Sequence, residues 1–342
     1  MGDSLAKKRV LVVGAGFSGA VIARELAEEG YSVTVIDKRT HIGGNAFDYV
    51  NAYGIRVHAY GPHLFHTSNK DVVSWLSQFT EWLPYQHRVK ALLADGRFVT
   101  LPVNAETAET VGKENVLDVF FRPYTLKMWG QPLEALDPGI LERVPIRGDM
   151  NDLYFPNDSF QAMPAKGYTE IFARIFDHPK IALTLGQAFD SAMEQGFSHV
   201  FNSMPIDEYF HFCEGDLPYR SIRFHHHDLP VPSLFPVATV NFTHNGPCTR
   251  VTEWKKLPGH GSNPFFTSVT VEEPCDYREN NHERYYPVKD LLGKNRELFN
   301  QYRAMTGKNM TFIGRCGLYA YLDMHQAISS ALEISKKFLS QA

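Results

Sequence analysis

The sequence predicts an α/β fold in which both ends of the chain build one parallel-sheet domain, with a small helical domain and an antiparallel β-sheet domain inserted between them. Three observations predict it. The run Val10-Leu-Val-Val-Gly14-Ala-Gly16-Phe-Ser-Gly19 is a short apolar strand that breaks into G-x-G-x-x-G. A second apolar run, Val33-Thr-Val-Ile-Asp37, ends in a carboxylate. Near the other end, Met310-Thr-Phe-Ile-Gly314 is again a strand entering a glycine, with a helix expected over 324–339.

Buried parallel strands read as continuous apolar runs. Gly14 permits the tight turn out of the first strand. Gly16 lets backbone approach a pyrophosphate, and Gly19 lets the next helix pack closely. That helix is expected over 20–29, with Val21, Ile22 and Leu26 inward and a stop at Gly30. Its N-terminus, entered through Phe17 and Ser18, offers free N–H groups and a favourable dipole to the pyrophosphate. Asp37 follows Gly19 by 18 residues and suits the adenosine ribose hydroxyls. A carboxylate there disfavours a 2′-phosphate, so NADP is not expected. The unit is Rossmann-like. Ile42-Gly43-Gly44-Asn45 comes soon after Asp37-Lys38-Arg39 and resembles the second glycine motif of flavoproteins of the glutathione-reductase type. No second G-x-G-x-x-G lies downstream, so no separate nicotinamide domain is expected. The expected cofactor is FAD.

Composition narrows the function. Lys plus Arg is 34 and Asp plus Glu is 38, a net charge of −4 with no basic stripe, so nucleic acid is not an expected partner. Cys213, Cys248, Cys275 and Cys316 are widely spaced without C-x-x-C, which fits a reducing compartment and no metal cluster. No apolar stretch reaches the roughly 18 residues of a membrane span. No apolar signal region precedes the first strand, and Ala6 breaks the myristoylation pattern; the expected location is cytoplasmic.

Along the chain, residues 55–67 and 88–103 read as short strands, and 105–130 as short helices. Residues 133–155 hold several prolines and glycines and read as a mobile loop. Tyr168–Phe176 reads as a helix, His199–Asn202 as a buried strand, 219–255 as sheet and 257–284 as loop. The expected division is therefore an FAD-binding domain of 1–65, 195–220 and 305–342. A small, mostly helical substrate region covers 66–160, and a mainly β-sheet substrate domain covers 161–194 and 221–304.

Further segments carry a resemblance. They are His58-Ala-Tyr-Gly-Pro-His63-Leu-Phe-His66-Thr, Tyr124-Thr-Leu-Lys-Met-Trp129-Gly, Val144-Pro-Ile-Arg147 and Asp207-Glu-Tyr-Phe210. Then come Tyr219-Arg-Ser-Ile-Arg-Phe224, Val240-Asn-Phe-Thr243, Thr249-Arg250, Tyr285-Tyr286-Pro-Val288 and Tyr319-Ala-Tyr321-Leu-Asp323-Met-His325-Gln326. In this order they resemble bacterial UDP-galactopyranose mutase over nearly the whole chain. The resemblance implies an isomerase that interconverts pyranose and furanose forms of a nucleotide-diphosphate sugar with no net redox change. N5 of reduced FAD would act as the nucleophile on the anomeric carbon. An external reductant such as NAD(P)H or a reductase is implied, and a homodimer is compatible with it.

By matching motif, Arg147 and Arg250 are the implied pyrophosphate arginines, suited by their fixed charge and bidentate geometry. Tyr286 and Tyr321 are the implied phosphate hydroxyls, with Tyr285 the less favoured of its pair. Trp129 would border the sugar, and Tyr124, Thr125 and Phe160 the nucleotide. His63, Gly314, Arg315, Asp323 and Met324 would lie at the flavin, joining Gly14, Gly16, Phe17, Ser18, Gly19, Asp37, Lys38, Gly44 and Asn45. Asp323 also reads as a helix N-cap. The catalytic set is thus Arg147, Arg250, His63, Tyr321 and Asp323. His63 and His66 have H-x-x-H spacing, but no carboxylate or cysteine cluster accompanies them. His225-His226-His227 alternates between strand faces. No metal is expected.

Four departures mark the nucleotide side. Only about twenty residues separate Pro102 from Tyr124, where the resemblance implies a longer helical insertion. Phe160 and Cys248 stand where tyrosines are usual, and Leu322 where a tyrosine is common. The expected substrate is a UDP- or dTDP-sugar. A redox flavoenzyme of the amine-oxidase or desaturase type shares the opening motifs but would not require the paired arginines. Retention of those arginines argues against an inactive binding protein.

Overall fold

The computed structural model describes residues 8–135, 146–288 and 290–341. Five parallel strands form the central sheet, in the order Ile181–Leu185, Ser32–Asp37, Arg9–Val13, His199–Asn202 and Met310–Phe312. Strands from the two ends and the middle of the chain therefore lie side by side, as the Rossmann-like reading requires. The helix Phe17–Glu28 packs on this sheet through Ala20, Val21, Ile22, Ala23, Leu26 and Ala27. Its alanines leave room for the C-terminal helix Met324–Gln341, whose Ile328 and Ala331 join the same core. Single apolar side chains buried this way are each worth roughly 1.5–3 kcal/mol.

A seven-stranded mixed sheet forms the second layer, ordered Tyr286–Pro287, Tyr219–Leu229, Thr267–Asp276, Arg250–Glu253, Thr239–Phe242, Val89–Leu92 and Phe98–Leu101. Its longest pairing is antiparallel, from Arg220 opposite Asp276 to Leu229 opposite Thr267. A three-stranded sheet of Phe65–Thr67, Phe160–Pro164 and Trp82–Pro84 bridges the layers.

Three placements differ from expectation. Ile181–Leu185, expected in the β-sheet domain, is the outer strand of the parallel sheet, paired with residues 33–37. Its middle residues are exposed, so it lacks the apolar run of its neighbours. The helix Tyr168–Phe176 goes with it, packing Phe172 against Phe17 with ring centroids 4.6 Å apart. The strands expected over 88–103 are present as Val89–Leu92 and Phe98–Leu101, but they join the seven-stranded sheet and not a separate small region; Ala105–Val111 and Arg122–Trp129 are the expected helices. The expected loop over 257–284 contains the ten-residue strand Thr267–Asp276, masked in the sequence by Glu272, Glu273 and Pro274. Of the loop expected over 133–155, residues 136–145 lie outside the described residues.

Candidate active site

One cleft runs along the carboxyl ends of all five parallel strands, where ligands of open α/β sheets bind. It is lined by Gly14 and Gly16 after the first strand, Asp37, Lys38 and Arg39 after the second, and Gln187 to Phe189 after the edge strand. Ser203 to Pro205 and Gly314 to Cys316 follow the other two. All fourteen residues expected at the cofactor line it: Gly14, Gly16, Phe17, Ser18, Gly19, Asp37, Lys38, Gly44, Asn45, His63, Gly314, Arg315, Asp323 and Met324.

The two glycine turns meet at its floor. Gly43 N–H donates to the Ala15 carbonyl at 2.9 Å, and a Cβ on Gly44 would sit 3.0 Å from Gly16 Cα. A Cβ on Gly19 would meet the Gly14 carbonyl oxygen at 1.9 Å, so the helix could not start this close to the strand. The helix start carries no side-chain cap and no acidic residue in its first turn. It therefore keeps N–H donors for an anion. Asp37 accepts from Ala15 N–H at 2.7 Å and from Arg39 N–H at 2.9 Å, one per oxygen. Each carboxylate oxygen retains a lone pair for a hydroxyl. Backbone donors for a pyrophosphate and an acid for a ribose fit an adenine dinucleotide.

At the far end the cleft meets His63, Tyr285, Arg315 and Asp323. Asp323 precedes the helix Met324–Gln341, and its N–H donates to Gln326 Oε1 at 2.9 Å, half of a capping box. Arg315 donates to the carbonyls of Tyr285, at 3.0 Å, and Leu322, at 2.6 Å, and lies over the rings of Tyr285 and Tyr321. His63 Nδ1 lies 2.8 Å from the Gly61 carbonyl and so carries the proton there, leaving a lone pair on Nε2. Burial holds its pKa down to about 4; the Gly61 bond opposes this, and the positive charges of Arg315 and Arg250 add to it.

Arg250 sits beside this end. Its Nε is 2.8 Å from Oε1 of Glu272, whose side chain is 2% exposed. Neither atom has an aligned hydrogen-bond partner among the described residues, so the pair is held by charge. Burial works to lower the Arg250 pKa, but Glu272 and Tyr124 outweigh it and hold the guanidinium charged. Next to it, Trp129 packs edge-on to Tyr286 at 5.0 Å, and Tyr321 lies 5.9 Å from Tyr286 and 6.4 Å from Trp129. Tyr124 packs against this aromatic cluster, and Thr125 is buried on the same helix.

One expected substrate residue is placed differently. Tyr286 is fully buried and its hydroxyl donates to the Met128 carbonyl, so it is not open to a phosphate; its neighbour Tyr285 lines the cleft instead. Tyr286→Phe is accordingly expected to cost about 1 kcal/mol of stability while leaving KM unchanged. Denaturant unfolding and steady-state kinetics check this. Phe160 meets Phe65 and Trp82 edge-on in the bridging sheet. Arg147 donates to the carbonyls of Leu153, at 2.5 Å, and Tyr154, at 3.2 Å.

The histidines of the two metal-like spacings have other partners. His66 Nδ1 contacts Asp158 at 2.6 Å and stacks on Phe155; His225 and His226 face Glu273 and Thr270. Sequence reasoning missed Gln187, Ser203, Glu283 and Arg284 in the cleft, and Glu272 behind Arg250. The first two follow strand ends, and a correct assignment of Ile181–Leu185 would have found Gln187. Also missed was His87, buried near Arg250 with its pKa pushed down to about 3 by burial, then by the charges of Arg250 and His66.

These imidazoles give a pH signature. His63, His87 and His260 titrate near 4, 3 and 4 when folded, against 6.5 ordinarily. Below pH 6.5 the unfolded chain takes up protons that the folded chain refuses. Stability is therefore full above about 6.5 and falls toward pH 4, by about 1.4 kcal/mol per pH unit for each histidine. A melting series from pH 7 to 4 on the apoprotein is expected to drop steeply; a flat profile would mean these rings are charged in the fold.

Residues 119–321 match the family model for UDP-galactopyranose mutase, and 12–79 that for an NAD(P)-binding Rossmann-like domain. A probable UDP-galactopyranose mutase of Klebsiella pneumoniae is 36% identical, over 97% of this chain and 95% of that protein. The chain belongs to the UDP-galactopyranose mutase family. That is an isomerase family, and membership implies a flavin cofactor. A dTDP-fucopyranose mutase of Escherichia coli is 32% identical, over 97% of this chain and 98% of that protein. The crystal structure of a reduced UDP-galactopyranose mutase shares the fold at a TM-score of 0.78, with 16% identity over 98% of this chain and 94% of that one. The Klebsiella alignment runs over 376 positions, more than the 342 residues here, so this chain lacks segments that its relative carries.

Proposed function

We propose that this chain interconverts the pyranose and furanose forms of a nucleotide-diphosphate sugar, with reduced FAD in the cleft. The observation that carries the reading is Arg250, a partly buried guanidinium kept charged by the buried Glu272 beside the His63 and Arg315 end of the cleft. When bound and reduced, the flavin supplies the nucleophile, its N5, for the anomeric carbon.

The chain's own residues do the rest. The N-terminus of Phe17–Glu28 and the Gly16 and Gly44 backbone hold the cofactor pyrophosphate, and Asp37 holds its ribose. Arg250 takes the diphosphate of the sugar nucleotide, whose negative charge grows as it leaves. Arg147 joins it by giving up its bonds to the Leu153 and Tyr154 carbonyls, closing its segment over the substrate and excluding water. Trp129, Tyr321 and Tyr124 form the aromatic wall for sugar and nucleotide. His63 stays neutral and offers an acceptor at Nε2; Asp323 supplies a carboxylate at the same end. NAD(P)H or a reductase keeps the flavin reduced.

The altered nucleotide side favours a changed or relaxed nucleotide preference. Turnover of UDP-galactofuranose, dTDP-fucofuranose and their cross-paired analogues by the dithionite-reduced enzyme tests it. Comparable or better kcat/KM with a dTDP-sugar supports the proposal. A clear preference for UDP-galactose overturns the changed preference.

A further inference from the structure

Beneath the His63 turn lies a pair of buried histidines that the proposed chemistry does not use. His58, at the end of the strand Arg56–His58, is 0% exposed, and His260, some two hundred residues later, is 1% exposed. Their Nε2 atoms are 2.9 Å apart. Every proton in this contact has one place. Nδ1 of His260 faces the Pro258 carbonyl at 2.9 Å and must donate, so its Nε2 is a bare acceptor. Nε2 of His58 must therefore carry the proton between the rings. That leaves Nδ1 of His58 bare, and it accepts the backbone N–H of His63 at 3.1 Å. A directed chain thus runs from the Pro258 carbonyl to the amide of a residue that lines the cleft.

The surroundings hold this chain rigidly. Trp254 packs on His58 at 4.8 Å and lies nearly parallel to His260, and its indole N–H is tied to Thr270. Tyr168 meets His58 edge-on at 5.6 Å. The turn above it has no slack. Gly61 has φ +80°, and a Cβ there would lie 2.9 Å from Phe224 and 3.1 Å from Glu272, the partner of Arg250. Packing alone would be served by an apolar pair of the same shape, without the cost of desolvating two imidazoles. Among the described residues, the one main-chain group that this pair serves at the cleft is the His63 N–H.

We infer that His58, oriented by His260, is a positioning residue that sets the His63 backbone, and so its imidazole, against the bound flavin. The inference rests on the flavin reading of the cleft. It separates two substitutions of similar cost to the fold. His58→Asn keeps an acceptor where Nδ1 stood and loses His260. His58→Gln keeps a donor for His260 and loses the acceptor for His63.

The test uses the FAD-loaded protein and reads the visible flavin spectrum, the FAD dissociation constant and the melting temperature. Both variants are expected to melt lower by a similar amount. His58→Gln is expected to shift the flavin band and weaken FAD about tenfold, the effect of one lost hydrogen bond of about 1.4 kcal/mol. His58→Asn should stay within about twofold of the wild type. His260→Leu takes away the partner of the His58 Nε2 proton, but the His63 N–H still fixes Nδ1 as the acceptor, so it should behave as His58→Asn. His58→Leu, which has neither group, should reproduce His58→Gln and carries the comparison with His58→Asn if His58→Gln does not fold. Spectra and affinities that merely follow the melting temperatures, or equal effects of Asn and Gln, overturn the inference and leave the flavin reading intact. A wild-type chain that binds no FAD refutes the flavin reading, and the inference with it.

Discussion

Arg250→Lys is expected to lower kcat/KM of the reduced enzyme by at least about a hundredfold, with little change in melting temperature. Lysine keeps the charge beside Glu272 but loses the planar fork that holds a diphosphate through two donors. Donors aimed at charge that develops in the transition state are worth roughly 2.7–4 kcal/mol each, so the loss falls on kcat. Arg250→Ala removes the charge as well. Glu272, 2% exposed at its side chain, would then be buried without a cation. Breaking a fully buried pair from one side costs about 3–5 kcal/mol, and the partial exposure of Arg250 puts the cost here below that. Adding Glu272→Gln to Arg250→Ala is expected to return most of that stability and none of the activity. Parallel unfolding and kinetic measurements on the three proteins separate the two effects. Recovery of turnover in the double variant would remove Arg250 from the chemistry.

Gly16→Ala is expected to weaken FAD binding by about a hundredfold, roughly 2.7 kcal/mol, while leaving the apoprotein as stable as the wild type. Gly16 has φ −85°, which any residue adopts, and a Cβ there would make only ordinary contacts, the nearest 3.6 Å from Gly44. Nothing in the fold demands glycine at this position; a ligand that needs the backbone bare does. Gly19 is the control. Its Cβ would collide with the Gly14 carbonyl at 1.9 Å, so Gly19→Ala is expected to lose both stability and FAD. Fluorescence titration of apoprotein with FAD, beside thermal melting, reads both quantities. A Gly16→Ala protein with wild-type affinity would place the pyrophosphate elsewhere.

What the sequence disclosed follows how local each signal is. Gly14, Gly16, Gly19, Asp37 and Gly44 lie within about thirty residues, and their spacing alone brings them to one cleft. Ile181–Leu185 was illegible because its parallel partner lies some 150 residues earlier and its exposed middle residues hide its place in the sheet. Thr267–Asp276 was hidden by a proline and two glutamates, although one of those glutamates, Glu272, is the buried partner of Arg250. The Tyr285 and Tyr286 pair turned on parity. Adjacent strand residues face opposite ways, and only the register that sets Tyr286 opposite Arg220 decides which one enters the cleft. The His58 and His260 pair joins segments with no shared pattern, and it became visible only as a contact.

The central claim is that a flavin fold here performs an isomerisation that consumes no electrons. The most direct measurement compares the fully reduced and fully oxidised FAD-loaded enzyme with a nucleotide-linked furanose, following sugar ring form and oxygen uptake together. The predicted result is conversion to the pyranose by the reduced enzyme alone, many turnovers per flavin, with no oxygen consumed by turnover. Steady oxidation of the substrate by the oxidised enzyme, with oxygen taken up in proportion, would contradict it and assign the chain to redox chemistry.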